Sequence, residues 1–259
     1  EVRQFFRDLD GETNRMGQEL REERYRFGDY RSFMVRDPKS REIRAPAFRD
    51  RVMHHAIIAI AGPVLDRGAI AHTYACRKGL GQHVALSRAS RWIQPGRWFL
   101  KMDVRKYYDS ISHEHLLCAL ERRFRERRLL RLFGRLIRSY ERRPGHGLPI
   151  GALTSQYLGN FYLDPLDHWV QQGLGLRRYL RYMDDMLCVG DRDEMHKARD
   201  KMRERLSAMG LEMKGEGILN RCEIGVPFLG FVLYPNRTRL NRLGKRRLRR
   251  RFREAFTVY

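Results

Sequence analysis

Two short β-favouring runs, each carrying aspartate where the strand gives way, restrict the fold more than anything else in these 259 residues. Arg97 to Val104 (RWFLKMDV) is aromatic and apolar, is bounded by Pro95 and Gly96, and reads as a buried strand with Asp103 at its far end. Tyr179 to Val189 (YLRYMDDMLCV) reads as two short strands flanking an Asp-Asp turn, a hairpin with Asp184 and Asp185 at its tip. Two more strands are predicted near Leu211 to Lys214 and Phe228 to Tyr234. With no internal repeat and no low-complexity linker, the expected architecture is α+β, an antiparallel sheet flanked by helices.

Elsewhere the apolar residues recur at helical spacing. Val52, Ala56, Ile57, Ile60 and Val64 predict a helix from Arg49 to Leu65 that ends near Gly62 and Pro63. His54 and His55 on it read as packed or half-exposed helix histidines, since no second group of metal ligands is in view. Two arginine-rich helices are expected, His113 to Arg127 and Leu129 to Tyr140, burying Leu116, Leu120, Phe124, Leu129, Phe133, Leu136 and Tyr140. After the hairpin, Asp191 and Glu194 form a capping box for a helix with Met195, Ala198, Met202, Leu206 and Met209 as its apolar stripe and Gly210 as its stop. The first forty residues are dense in Arg and Glu with scattered Phe5, Phe6, Tyr25, Phe27 and Tyr30, which predicts short helices and a basic loop rather than core. The last stretch packs basic residues from Arg237 to Arg253 around Leu240, Leu243, Leu248 and Phe252, in the manner of a helix laid along phosphates.

The charge narrows the partners. Lys and Arg number 53 against 31 Asp and Glu, a formal net charge of +22. Such a potential attracts a polyanion before any contact forms, and nucleic acid is the leading one. A membrane is not expected as partner: the longest apolar stretch, His55 to Leu65, is interrupted by Gly62 and Pro63 and falls short of the roughly 18 apolar residues a spanning helix needs. Cys76, Cys118, Cys188 and Cys222 form no CxxC pair, which argues against zinc or a disulfide framework and for a reducing, cytoplasmic setting. No leader is read ahead of the fold from Glu1 onward.

Adjacent ionised carboxylates repel unless a cation sits among them, so Asp103, Asp184 and Asp185 in so basic a chain pose a question that magnesium answers. Magnesium takes oxygen ligands and is held by one or two carboxylates together with substrate phosphates. Two such ions about 3.5 to 4 Å apart activate an attacking hydroxyl and stabilise a departing pyrophosphate. An Asp-Asp hairpin tip alone has a purely structural reading, because Asp is common in turns. Its context decides otherwise.

Tyr182-Met183-Asp184-Asp185 resembles the YxDD signature of reverse transcriptases, and Asp103 within LKMDVRKYYDSI resembles their other metal-binding strand. GLPIGALTSQ (147–156), continuing to Asn160, Tyr162, Leu163 and Asp167, is similar to the segment that packs beneath the incoming nucleotide. The resemblance runs from about Arg44 to Arg253. It implies a right-hand polymerase, with an N-terminal extension and fingers over residues 1–102, a palm with inserted helices over 103–236, and the start of a basic thumb helix over 237–259. It implies two magnesium ions on Asp103 and Asp184, with Asp185 a weaker or indirect ligand. It further implies a deoxynucleotide gate at Tyr108, triphosphate contacts at Arg77 and Lys78, and Ile150 and Gln156 lining the nucleotide pocket. Lys214 is a candidate general acid for pyrophosphate, against the commoner reading of an exposed lysine. The basic face of Arg242, Lys245, Arg246, Arg249 and Arg250 would follow nucleic acid.

Where most bacterial relatives read QGxxxSP, this chain reads IGALTSQ, with Ile150 and Gln156 at the departing positions. Together with Tyr74-Ala75-Cys76-Arg77-Lys78-Gly79 and LDPLDHWV, this resembles the enzymes of diversity-generating retroelements. That type copies a template-repeat RNA into cDNA from dNTPs with errors opposite adenine, beside a small basic accessory protein. The alternatives are a group II intron-like or other bacterial reverse transcriptase, and an RNA-binding module that has kept the fold without activity.

Overall fold

The computed structural model describes residues 1–36 and 40–257. Residues 37–39, in the expected basic loop, and 258–259, at the end of the expected thumb helix, lie outside it. In chain order the elements are α1 (Val2–Arg7), α2 (Leu9–Arg21), β1 (Tyr30–Arg36), β2 (Ser40–Pro46), α3 (Phe48–Arg67), α4 (Gln82–Trp92), β3 (Trp98–Met102) and α5 (Tyr107–Ser110). There follow α6 (His113–Arg123), α7 (Arg127–Arg138), α8 (Leu153–Tyr162), α9 (Asp164–His168) and a π-helical turn, Trp169–Gly173. The chain closes with β4 (Tyr179–Tyr182), β5 (Asp185–Gly190), α10 (Arg192–Ala208), β6 (Ile218–Arg221), β7 (Val226–Phe228), β8 (Phe231–Tyr234), β9 (Arg237–Leu240) and α11 (Arg242–Thr257). These elements divide into two compact units, Glu1–Ala69 with Lys106–Asp164, and Ile70–Arg105 with Pro165–Tyr259.

In the first unit, α3 packs along α8, and this corrects one expectation. The helix does not end at Gly62 and Pro63 but runs through Pro63 to Arg67. Proline removes one backbone bond, yet Ala61 and Leu65 on either side are buried, and Gly62 lets Tyr157 of α8 approach to where a Cβ would meet its ring at 3.3 Å. Packing on both sides of the proline carries the helix past it. The N-terminal segment is a second correction: it contributes core after all, with Phe5, Met16 and Tyr25 buried. The Tyr25 hydroxyl donates to the buried Asp50 carboxylate of α3 at 2.8 Å, and the Gly28 amide donates to its other oxygen at 2.8 Å. β1 (Tyr30–Arg36) pairs antiparallel with β2 (Ser40–Pro46), a ribbon that periodicity did not single out.

The second unit is built on an antiparallel sheet of order β4-β5-β3-β6. One face carries Phe99, Leu180, Leu187 and Val189 into a core with Ala85, Leu86 and Ala89 of α4 and Phe228 and Leu233 of the small β7-β8-β9 sheet. On α10 the stripe Met195, Ala198, Met202 and Leu206 is buried, with Met202 reaching Cys188 of β5 at 3.9 Å between sulfurs. Its Asp191–Glu194 capping box forms as expected.

Two predicted strands change character. Among the described residues, Leu211 to Lys214 forms one isolated bridge, Val104 to Met213, because Gly215 and Gly217 at positive φ turn the chain before β6. Phe228 to Tyr234 is a hairpin rather than one strand, since Leu229 and Gly230 both adopt positive φ (45° and 83°) between paired Phe228 and Phe231. Two such residues make the tight turn whose twist suits a hairpin.

Candidate active site

Period-two alternation builds the site. On β3, Phe99 and Lys101 share a face with Asp103, the first residue beyond the strand; on β5, Asp185, Leu187 and Val189 share the face that meets them. The antiparallel register pairs Lys101 with Leu187 and Met102 with Met186, so one step further Asp103 comes beside Asp185. The β4–β5 hairpin closes with Tyr182 opposite Asp185. The turn is therefore Met183-Asp184, and the second aspartate of the pair opens β5. Met183 has φ 55°, the left-handed region that a non-glycine residue enters at a cost of about 1–2 kcal/mol.

Two lysines stand among the carboxylates. Lys214 Nζ donates to Asp103 Oδ2 at 2.9 Å, held there because its own amide donates to the Asp103 carbonyl at 2.8 Å. Lys101 Nζ lies 3.4 Å from Asp185 Oδ2. The other Asp185 oxygen, Oδ1, is buried without a hydrogen-bond partner among the described residues. Burial pushes the Asp185 carboxyl up to about 7; Lys101 pulls it down, while the Asp103 and Asp184 charges push it further up. Burial alone thus penalises the charge here, and like charges add to the penalty.

These residues fit a divalent cation. A buried acceptor without a donor, next to two more carboxylates, is a donor set that a positive ion completes, and such an ion would reverse the local charge balance. Among the described residues no three Asp, Glu, His or Cys side chains close on one point as a cage. Magnesium does not require a cage when substrate phosphates supply the remaining oxygens.

Arg77 and Lys78 belong to the same unit. The segment before them runs beside β4, with Thr73 bridging Arg181 in parallel, and Cys76 approaches Met183 at 4.0 Å between sulfurs. Arg77 Nη1 donates to the Ile70 and Thr73 carbonyls at 2.9 Å each, while Lys78 is exposed. Arg242, Lys245, Arg246, Arg249 and Arg250 lie exposed along α11, which begins after strand β9.

Tyr108, Ile150 and Gln156 belong to the other unit. Tyr107 is the packed member of the tyrosine pair, 3% exposed, with its hydroxyl donating to the Gly159 carbonyl of α8. Tyr108 is half-buried, and its carbonyl accepts the Leu148 amide at 2.9 Å, which ties the loop carrying Ile150 to α5. The Ile150 carbonyl in turn accepts the Arg44 amide of β2 at 2.7 Å. Gln156 is exposed on α8.

Sequence reasoning did not single out Lys101. Its signal was available, since two residues before Asp103 on a strand means the same face. Nor did it single out the fully buried Arg181, whose partner is Asp167.

The chain is 21% identical over 282 residues to the COX1/OXI3 intron 1 protein of Saccharomyces cerevisiae, covering 84% of this chain and 34% of that protein. It is 23% identical over 191 residues to the group II intron-encoded protein LtrA of Lactococcus lactis, covering 71% and 31%. The chain thus spans about a third of the length of these curated relatives. Apo telomerase from Candida tropicalis shares the fold, with a TM-score of 0.62 at 11% identity over 83% of this chain and 49% of that one. The sequence profile of the reverse transcriptase (RNA-dependent DNA polymerase) family matches residues 36–233, and this chain belongs to that family.

Proposed function

We propose that this chain provides the fingers (1–102) and palm (103–236) of an RNA-templated DNA polymerase, with the start of a basic thumb helix at 237–259, acting in the cytoplasm on template RNA, primer or cDNA, and dNTPs. The observation that supports this best is the carboxylate group at the end of β3 and the tip of the β4–β5 hairpin, with a buried Asp185 oxygen that has no donor among the described residues.

Asp103 and Asp184 would hold two magnesium ions, with Asp185 a weaker or indirect ligand. Bound there, magnesium supplies activation of the primer 3′-hydroxyl and charge neutralisation at the departing pyrophosphate. Lys101 balances the Asp185 charge. Lys214, on Asp103 in this structure, delivers a proton to pyrophosphate as general acid. Lys78 meets the triphosphate, with Arg77 both shaping their loop and offering its guanidinium. Tyr108 excludes a ribose 2′-hydroxyl, Ile150 and Gln156 line the nucleotide pocket, and Arg242, Lys245, Arg246, Arg249 and Arg250 follow phosphates. Tyr108→Ala is expected to admit ribonucleotides in a dNTP/rNTP competition assay; unchanged discrimination would refute the gate.

For lineage, IGALTSQ with Ile150 and Gln156 favours the diversity-generating retroelement type, which copies template-repeat RNA with errors opposite adenine and works with a small basic accessory protein. An apolar Ile150, unable to hydrogen-bond, would loosen control of template adenine. A group II intron-like enzyme is the second reading, favoured by the intron-encoded relatives. Primer extension on defined RNA with dNTPs and magnesium, with sequenced products, tests both. Errors concentrated at template adenine and altered by Ile150→Gln support the retroelement reading. Faithful product supports the intron reading, and absence of product from full-length protein with cognate RNA leaves an RNA-binding module.

A further inference from the structure

On the opposite face of the hairpin lies a second charged cluster that this chemistry does not use. Arg181 and Asp167 are both 0% exposed. Arg181 Nε donates to the two Asp167 oxygens at 2.8 and 2.9 Å, and Nη2 donates to Oδ2 at 2.5 Å. The Tyr179 hydroxyl donates to Asp167 Oδ1 at 2.6 Å and the Thr73 hydroxyl to Oδ2 at 3.3 Å. A buried ion pair is weak evidence for stability, because desolvation offsets its attraction and apolar residues of similar volume serve as well. Its value must be sought in geometry.

The remaining guanidinium nitrogen shows where. Arg181 Nη1 donates to the Met183 carbonyl at 3.0 Å, inside the turn where Met183 holds its left-handed φ. The Arg181 main chain is pinned as well, its amide donating to the His72 carbonyl and its carbonyl accepting the Tyr74 amide, each at 3.0 Å. The guanidinium is thus a rigid strut from Asp167 to the peptide that precedes Asp184. Lysine, with a single nitrogen, lacks the planar fork that serves both ends.

We propose that Arg181, anchored by Asp167, is a positioning residue that holds the Met183 peptide in its left-handed turn and thereby sets the direction of the Asp184 carboxylate. The role of Asp184 rests on the polymerase reading; the strut does not.

Two variants separate this from core filling. Arg181→Lys keeps the charge and removes the fork, whereas Tyr179→Phe removes one hydrogen bond to the same carboxylate and leaves the turn contact in place. Hydrogen exchange of metal-free protein, resolved over residues 181–186, is read beside the magnesium dependence of primer extension and the unfolding temperature. Arg181→Lys is expected to speed exchange at 183–185 and to raise the half-saturating magnesium by about 10- to 100-fold, the range for residues that orient metal ligands. Tyr179→Phe should lower the unfolding temperature and move neither readout. If both variants shift exchange and magnesium dependence in proportion to lost stability, the proposal is overturned. Should Arg181→Lys fail to fold, the unaltered protein decides. Its backbone at 183 and 184 is expected to be as rigid as the strand at 179–182, with NMR order parameters of about 0.85, and a flexible tip with values below about 0.6 overturns the strut. Exchange requires no turnover, so a protein without polymerase activity would sink the functional reading while the strut is still judged.

Discussion

The two faces of the β4–β5 hairpin carry similar residues to opposite ends. On one, Asp103 and Asp185 stand with Lys101 and Lys214, partly exposed, with Asp184 at the adjoining turn, and a buried Asp185 oxygen lacks a donor among the described residues. On the other, Asp167 and Arg181 are wholly buried, and each Asp167 oxygen takes more than one hydrogen bond. Fully satisfied buried networks rigidify a fold, whereas a partly satisfied one costs stability. The first face bears a cost that folding alone does not explain, as sites kept for function do. The second gives the first a stable geometry.

Asp167→Asn and Asp184→Asn strain this contrast hardest. Asp167→Asn leaves Arg181 buried without its counter-charge and should cost about 3–5 kcal/mol in denaturant unfolding, the scale for breaking one side of a buried pair. Asp184→Asn should keep the fold and lose primer extension. The contrast breaks if the first variant is as stable as the parent or the second unfolds.

The same rule reaches the other unit at His54, 1% exposed on α3. Its Nδ1 meets the Thr154 hydroxyl at 3.2 Å, and its Nε2 has no partner among the described residues. Burial pushes its pKa down from 6.5 to about 4, with Asp50 pulling it up and His55 down. The folded state therefore resists protonation, so stability is fully present above pH 6.5 and is lost as pH falls toward 4. The loss is about 3 kcal/mol at most, at 1.36 kcal/mol per unit. Equilibrium unfolding from pH 7 to 4 should show that slope, and His54→Leu should flatten it.

The smallest effect has the opposite sign. Asp185→Asn removes a desolvated charge facing two others and should stabilise metal-free protein by about 1 kcal/mol at pH 8, a usual gain when a functional group is relieved. A loss of stability there would mean that Lys101 already compensates Asp185 and that the two faces are closer in electrostatic balance.

Much of the fold was readable in the chain. β3, the β4–β5 hairpin, α6, α7 and α10 follow from periodicity and caps, which depend on residues a few positions apart. The basic α11 and the carboxylates of the candidate site were visible for the same reason. What the patterns missed lies where distant packing overrides a local signal: α3 passing Pro63 under the cover of α8, Tyr25 drawn into the core by Asp50, and the turn at Leu229-Gly230 dividing one apolar run into two strands.

The aspartates at their strand ends, the basic surplus and the family were legible in the amino-acid order, because each is a matter of residue type and short spacing. Which charged groups find partners was settled by folding. Lys214 reaches Asp103 across 111 positions and Thr73 reaches Asp167 across 94. Whether a buried oxygen is satisfied depends on groups that the chain brings together only by folding.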